Sequence, residues 1–334
     1  MKVERILISR TDSIGDVLLT LPICHWIKNQ YPQAKIFFLG KNYTVPILKA
    51  YTAIDEVCDW TDIENMTPEK QLAYFKSLDV DTIIHVFPNK TIAKLAKKAK
   101  IQNRIGTSHR LFHLFTCNYR LNFTRKGSEL HEAQLNYELV RPLGLKELPS
   151  LLQIQSVTTN FQPPKVELPT AISNFISTQA SYFVLHPKSQ GSALEWPIEK
   201  YIELANMLVD AGHSVAFTGT EKEGLLFKDK LPENPSIIDT TGTMSLEQLM
   251  TFIQASQGLV ACSTGPLHIA AFLDKKAIGL YSSRKPIHPG RWQPIGRNSK
   301  ALVFDINCAS CAAKQPCKCI ENITPTTVLN ELIG

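Results

Sequence analysis

At 334 residues, 44% of them hydrophobic and 20% charged, the chain exceeds one typical core and predicts two globular domains. No apolar run approaches the roughly 20 residues that span a bilayer, which excludes a membrane-spanning helix. The N-terminal "MKVERILISRTDSIGD" sets charges on both sides of a short apolar stretch, unlike a secretory leader, and with four scattered cysteines (Cys24, Cys58, Cys117, Cys262) it predicts a cytoplasmic protein.

Taken in order, "RILIS" (5–9) reads as a strand and a helix follows from about Val17 to Gln30. "KIFFLG" (35–40) and "VDTIIHVF" (80–87) are further strands, and "HEAQLNYELVRPLGL" (131–145) is a helix closed by a proline and a glycine. A linker is expected over 147–170, where Pro149, Pro163, Pro164 and Pro169 interrupt any periodicity. The alternation then restarts: strands in "SYFVLHP" (181–187), "HSVAFTG" (213–219), "SIIDTTG" (236–242), "GLVACSTG" (258–265) and "KAIGLYSS" (276–283), with helices over 198–211, 245–256 and from Pro266. Strand–helix alternation repeated on either side of a proline-rich middle predicts two doubly wound α/β domains, 1–160 and 161–334. Ligands of such sheets bind at the carboxyl ends of the strands, so substrate is expected in the cleft between the domains.

Charge is unevenly spread. No acidic residue occurs between Asp81 and Glu129, an interval holding ten Lys or Arg, so the rest of the chain carries −4 of the net +6. A basic block of this kind predicts an anionic partner: a membrane surface, a phosphorylated substrate or nucleic acid. A solvated helix face accounts for "KTIAKLAKKAK" alone, but the bias continues through the aromatic "RIGTSHRLFHLFTCNYRLNFTRK", read here as non-helical.

Dinucleotide (G-x-G-x-x-G), P-loop, nucleophile-elbow and H-E-x-x-H signatures are all absent. In "VACSTGPLHIAAFLD" (260–274) a strand ends at Cys262, Ser263–Thr264–Gly265 form a turn and Pro266 suits the first helical position. Free backbone N–H groups and the helix dipole there make a diphosphate site without a lysine, although a Ser or Thr can serve simply as a cap. His268 lies on the first turn. "HPKSQGSALEWPIEKY" (186–201) offers Lys188 and neighbouring hydroxyls as a second anion-contacting loop, and "FTGTEKE" (217–223) places Glu221 and Glu223 to hold sugar hydroxyls. "RTDSIGD" is unlike any of these: its strand-to-helix turn carries Asp12 and Asp16 where an anion site would be basic.

The segments "RILISRTDSIGDVLLTLP", "RIGTSHR", "HEAQLNYELVRPLGL", "LHPKSQGSALEWP", "GTEKE", "TGTMSLEQLMTFIQAS" and "STGPLHIAAFLDKKAIGLY" together resemble glycosyltransferase family 9, the heptosyltransferases of lipopolysaccharide core assembly. The resemblance runs over nearly the whole chain. It implies a GT-B fold, two Rossmann-like domains facing a central cleft, and an inverting sugar transfer needing no metal or other cofactor. The co-substrate would be a nucleoside-diphosphate sugar, typically ADP-heptose, held by the C-terminal domain. An anionic glycolipid acceptor would bind the N-terminal domain, with peripheral contact at the inner membrane surface and no nucleic-acid partner.

Residue by residue, the resemblance implies Asp16 as general base, with Asp12 the rival. It implies Thr264, Gly265 and His268 at the diphosphate, with Glu223 and Met244 in the donor site; the residues themselves add Ser263, Pro266 and Lys188 as donor contacts. Asp12, Ser13, Arg104, Arg110, Arg120 and His131 are the acceptor candidates. Asp16 also suits a plain helix cap. Two positions depart from the family pattern: Leu194 stands where a phosphate-contacting lysine is usual, and Ser263 where an aspartate is usual. These departures predict a different or altered nucleotide sugar, with Lys188, Arg284 or Arg291 as replacement cation. A catalytically altered nucleotide-sugar binder and a nucleic-acid-binding protein using the basic block are the alternative readings. Cys308, Cys311, Cys317 and Cys319 form a C-x-x-C and a C-x-C pair, which points to a structural zinc, with reduced thiols or disulfides as alternatives.

Overall fold

The computed structural model describes residues 3–179 and 181–334; Met1 and Lys2 of the N-terminal segment read above lie outside the described residues, as does Ala180. The chain divides into two compact units, Met1–Gln162 and Pro163–Gly334.

Six strands build the first unit: β1 (Arg5–Ser9), β2 (Lys35–Gly40), β3 (Glu56–Asp59), β4 (Thr82–His85), β5 (Asn103–Thr107) and β6 (Tyr119–Leu121). They form one parallel sheet in the order β3-β2-β1-β4-β5-β6. Ile6, Leu7 and Ile8 of β1 are all fully buried, as expected where helices cover both faces of a parallel sheet and the strand becomes a continuous apolar run. On one face Leu7, Phe37, Leu39 and Ile83 pack against Trp60, Ile63, Phe75, Ile92 and Leu95.

The second unit repeats the plan. Its strands are β7 (Tyr182–His186), β8 (Ser214–Phe217), β9 (Ile237–Asp239), β10 (Gly258–Cys262), β11 (Lys276–Tyr281) and β12 (Ser299–Val303), ordered β12-β11-β10-β7-β8-β9 and all parallel. Counted from its own first strand, this is the order of the first unit read from the other edge. In each unit the connections leave the first and fourth strands in opposite directions. The switch point therefore falls between β1 and β4, and again between β7 and β10, and the residues just past those strand ends line a crevice.

Several boundaries differ from the sequence reading. The helix expected over 17–30 is two, Ile14–Leu18 and Leu21–Gln30, because Pro22 has no N–H to continue the ladder. The Thr20 hydroxyl donates to the Asp16 carbonyl at the break. The stretch read as non-helical contains helix Leu111–Thr116 between β5 and β6. Helix Glu132–Tyr137 continues as a 3-10 turn, Glu138–Leu143, that accommodates Pro142 and ends on Gly144 at φ +104, where a side chain would be strained. Part of the expected linker is structured: helix Leu151–Gln155 is followed by Phe161, which bridges Tyr51 of the first unit. Among the described residues no helix is long and apolar enough to cross a membrane.

Candidate active site

The residue after β1 is Arg10, 3% exposed. A guanidinium taken out of water costs several kcal/mol unless paired and hydrogen-bonded, and here every arm has a partner. Nε donates to Asp12 at 2.7 Å, one terminal nitrogen to Asp16, and the other to Glu132 Oε1 and Asn136 Oδ1, both at 3.3 Å. Arg125 reaches the same pair, donating to Glu132 at 2.8 Å and Asn136 at 2.8 Å. Two arginines thus face three carboxylates. Burial would lower the Arg10 pKa, but Asp12, Asp16 and Glu132 outweigh it and hold the guanidinium above its ordinary value.

The two aspartates of "RTDSIGD" are held differently. Burial pushes the Asp12 carboxyl up to about 6; Arg10 opposes the shift and the charge of Asp16 adds to it. Its carbonyl accepts the Tyr43 hydroxyl at 2.6 Å. Asp16 stands in the first turn of helix Ile14–Leu18, where Ser13, in extended conformation, is the N-cap residue. The Ser13 hydroxyl makes no capping bond and donates instead to Asp16 at 2.5 Å. Asp16 is therefore not the helix cap. Its side chain stays 18% exposed, and a carboxylate with one donor on each oxygen still has lone pairs to accept a proton.

Beneath this turn His85 ends β4, paired in register with Ser9 of β1. Burial, then the neighbouring His113 and Arg104, lower its pKa to about 3, and both ring nitrogens are buried without a hydrogen-bond partner among the described residues.

The other acceptor candidates are placed less directly. His131 is 1% exposed and is the N-cap of helix Glu132–Tyr137, accepting from the Ala133 N–H in a capping box with Gln134. It positions Glu132 rather than presenting a ring to solvent. Arg104 braces its own neighbourhood, donating to the Thr116 carbonyl at 2.7 Å and to the Ile101 carbonyl. Arg120 donates to the carbonyls of Leu114 and Cys117. Arg110 is exposed ahead of helix Leu111–Thr116. Arg10, Arg125, Glu132, Asn136 and Tyr43 went unselected by sequence reasoning. The available signal was Arg10 itself, a cation separated only by Ser9 from the apolar run Ile6–Leu7–Ile8.

In the second unit β10 runs into Ser263 and Thr264, both 8% exposed, and helix Gly265–Phe272 begins. Thr264 is the N-cap in extended conformation, yet its hydroxyl makes no capping bond. That oxygen is buried without a hydrogen-bond partner among the described residues. A buried hydroxyl left in this way costs about 1–3 kcal/mol, which argues for a ligand rather than for capping. Pro266 sits in the first turn and His268 is 2% exposed. The loop after β7 reaches the same turn through the Ser192 hydroxyl, which donates to the Ser263 carbonyl at 3.4 Å.

Lys188 on that loop is paired with Glu195 at 2.8 Å, and Glu195 also accepts from the Ser189 N–H and hydroxyl. Glu223, read as a holder of sugar hydroxyls, is 6% exposed and closes a capping box, accepting from Thr220 N–H at 2.7 Å and Thr220 Oγ1 at 2.9 Å. Glu221 beside it is exposed. Met244 is half-buried just before Ser245, the N-cap of helix Leu246–Ala255.

Two α/β units, each built on a parallel six-stranded sheet, make up the GT-B fold, and solved structures agree in fold. An Escherichia coli ADP-heptose lipopolysaccharide heptosyltransferase II superposes with a TM-score of 0.74 over 99% of this chain and 97% of its own, at 18% identity. The chain belongs to glycosyltransferase family 9 (heptosyltransferase), whose model matches residues 80–320. It is 26% identical over 322 residues to a candidate glycosyltransferase of Haemophilus influenzae, covering 90% of this chain and 89% of the relative. It is 23% identical over 298 residues to lipopolysaccharide heptosyltransferase 3 of E. coli, covering 85% and 84%.

Replacing Arg10 by Met leaves carboxylates of the cluster uncompensated. Urea unfolding of Arg10→Met is expected to show a loss of about 3–5 kcal/mol, the cost of breaking a buried ion pair from one side. The Asp12 carboxyl, titrated by NMR, should move above its value of about 6, because the group that opposes its rise has gone.

Proposed function

We propose that this enzyme performs an inverting, metal-independent transfer of a heptose or related sugar from a nucleoside-diphosphate sugar to an anionic glycolipid, a lipopolysaccharide core being the first candidate. The first unit holds acceptor and base; the second holds the donor. The observation that carries this reading is Asp16, a partly exposed carboxylate at the β1/β4 switch point, held by Arg10 and Ser13. The heptosyltransferase relatives support the sugar and acceptor class.

In such a transfer the acceptor hydroxyl attacks the anomeric carbon while the nucleoside diphosphate departs from the opposite face. Asp16 takes the hydroxyl proton as the new C–O bond forms. Arg10 fixes the orientation of that carboxylate, and Ser13 holds its second oxygen. The leaving diphosphate gains negative charge, which the amino end of helix Gly265–Phe272 and the Thr264 hydroxyl stabilise. Glu223 and Lys188, already engaged within the unit, shape the donor site through their loops.

The Leu194 and Ser263 departures support a donor other than unmodified ADP-heptose. Leu194 is 42% exposed, so nothing in the fold demands an apolar side chain there, and its lost cation is a change in the site rather than in the core.

The acceptor's lipid and the basic block support peripheral contact with an anionic membrane on the cytoplasmic face. Lys90, Lys94, Lys97, Lys98 and Lys100 are exposed along and just beyond helix Lys90–Lys98, whose Ile92, Ala93, Leu95 and Ala96 are buried. Helix Leu111–Thr116 packs beside it and exposes Leu111 (74%) and Phe115 (68%). Exposed apolar side chains flanked by lysines are the composition of an interfacial anchor.

Asp16→Asn is expected to lower kcat by roughly 10²–10⁴-fold while calorimetry shows donor affinity unchanged; near-normal turnover refutes the base assignment. In a thermal-shift panel of ADP-, GDP- and UDP-sugars, stabilisation by ADP-heptose alone removes the altered-donor reading, and no stabilisation by any of them removes the donor site. Sedimentation with anionic vesicles should fall at high salt and fall further in Leu111→Ser/Phe115→Ser. Equal binding to neutral vesicles, or none to anionic ones, counts against the membrane contact.

A further inference from the structure

Four cysteines remain that neither sheet nor the transfer uses. Cys308, Cys311, Cys317 and Cys319 follow β12, and their sulfurs all lie within 4.8 Å of one another. All four are free thiols, with the Cys311 and Cys317 sulfurs 3.0 Å apart. Local backbone structure explains the convergence. Cys308 is the N-cap of the short helix Ala309–Ala312, its sulfur accepting from the Cys311 N–H, so the C-x-x-C pair shares one turn. Lys314, at φ +59, then reverses the chain, with its N–H bonded to the Cys311 carbonyl and the Gln315 N–H to the Ser310 carbonyl. The reversal brings Cys317 and Cys319 back onto the first pair.

The dimensions fit one ion. Zinc–thiolate bonds of about 2.3 Å in a tetrahedron put the sulfurs roughly 3.8 Å apart. Here the Cys311–Cys317 pair is 3.0 Å apart and all four sulfurs lie within 4.8 Å of one another, a range that includes that value. Cys311 is fully buried and Cys319 is 5% exposed, while Cys308 and Cys317 are half-buried. With four protein sulfurs and no place for a water or substrate, the set is a closed, structural one.

We propose that Cys308, Cys311, Cys317 and Cys319 bind a single zinc ion as a tetrathiolate that locks the 308–319 loop. Binding displaces the four thiol protons and forms four Zn–S bonds, with no change of oxidation state. The loop has a second tie: the Arg284 guanidinium, just past β11, donates to the Gln315 carbonyl. Zinc therefore also sets the position of Arg284, one of the cations that sequence reasoning offered as a substitute at the donor site.

The full chain, purified reduced and without chelator, is expected to carry about one zinc per molecule by elemental analysis. Stripping with a chelator and adding cobalt(II) should produce the thiolate-to-metal charge-transfer and visible bands of tetrahedral cobalt. Protease cleavage within 305–320 should rise on stripping and fall again when zinc is returned. In Cys308→Ser/Cys317→Ser the zinc content should drop to background. The stripping experiment on the wild-type chain stands whether or not that variant folds. Zinc at background with the four thiols free, a Cys311–Cys317 disulfide in the purified reduced chain, or iron in place of zinc each overturns the proposal.

Discussion

Arg10 is a fully charged group placed where water cannot reach it, at the carboxyl end of the first strand. Its charge has to be met by protein, at a cost of several kcal/mol if it is not. The chain meets it locally with Asp12 and Asp16 and remotely with Glu132 and Asn136. Much of the first unit follows from that requirement. The His131 capping box starts the helix that carries Glu132 and Asn136. Asn136 in turn donates to the Leu19 carbonyl and the Thr20 hydroxyl, at the break between the first two helices. Asp16 is consequently held by contacts from both sides of the turn.

One strand order serves twice, and the ends of its central strands carry different side-chain chemistry. Past β1 the switch point carries carboxylates around a buried cation. Past β10 it carries a serine, a threonine and a helix amino end, with an unsatisfied Thr264 hydroxyl. The topology provides a crevice in each case; the side chains make the first acidic around a buried cation and line the second with hydroxyls and a helix amino end. The departures at Leu194 and Ser263 leave the Thr264 hydroxyl and the amino end of helix Gly265–Phe272 in place.

Legibility followed local physics. Strands such as "RILIS" and "GLVAC" were plain because, Arg5 apart, every residue is buried and apolar or small. β5, "NRIGT", was hidden because it carries polar side chains with specific partners: Asn103 donates to Thr82 Oγ1 and Arg104 to backbone carbonyls. β6 was hidden because an edge strand of three mostly exposed residues has no apolar pattern. The break at Thr20 was hidden because proline in a first helical turn looks much the same as proline inside one. Asp16 was legible from its motif. Its supporting cluster was not, since Glu132 is 122 residues from the arginine it neutralises.

Composition, apolar runs and turn residues were enough to establish two doubly wound α/β halves, the acidic turn after the first strand, the hydroxyl turn after the tenth and the crowding of four cysteines near the carboxyl end. These are properties of neighbouring residues, and short-range backbone preferences enforce them. Tertiary structure alone decided that Asp16 shares Arg10 with a buried glutamate and that Thr264 keeps a buried, unused hydroxyl. Each of those outcomes depends on which distant groups are removed from water together, and desolvation of a charged or polar group is settled only when the fold brings its partner to it.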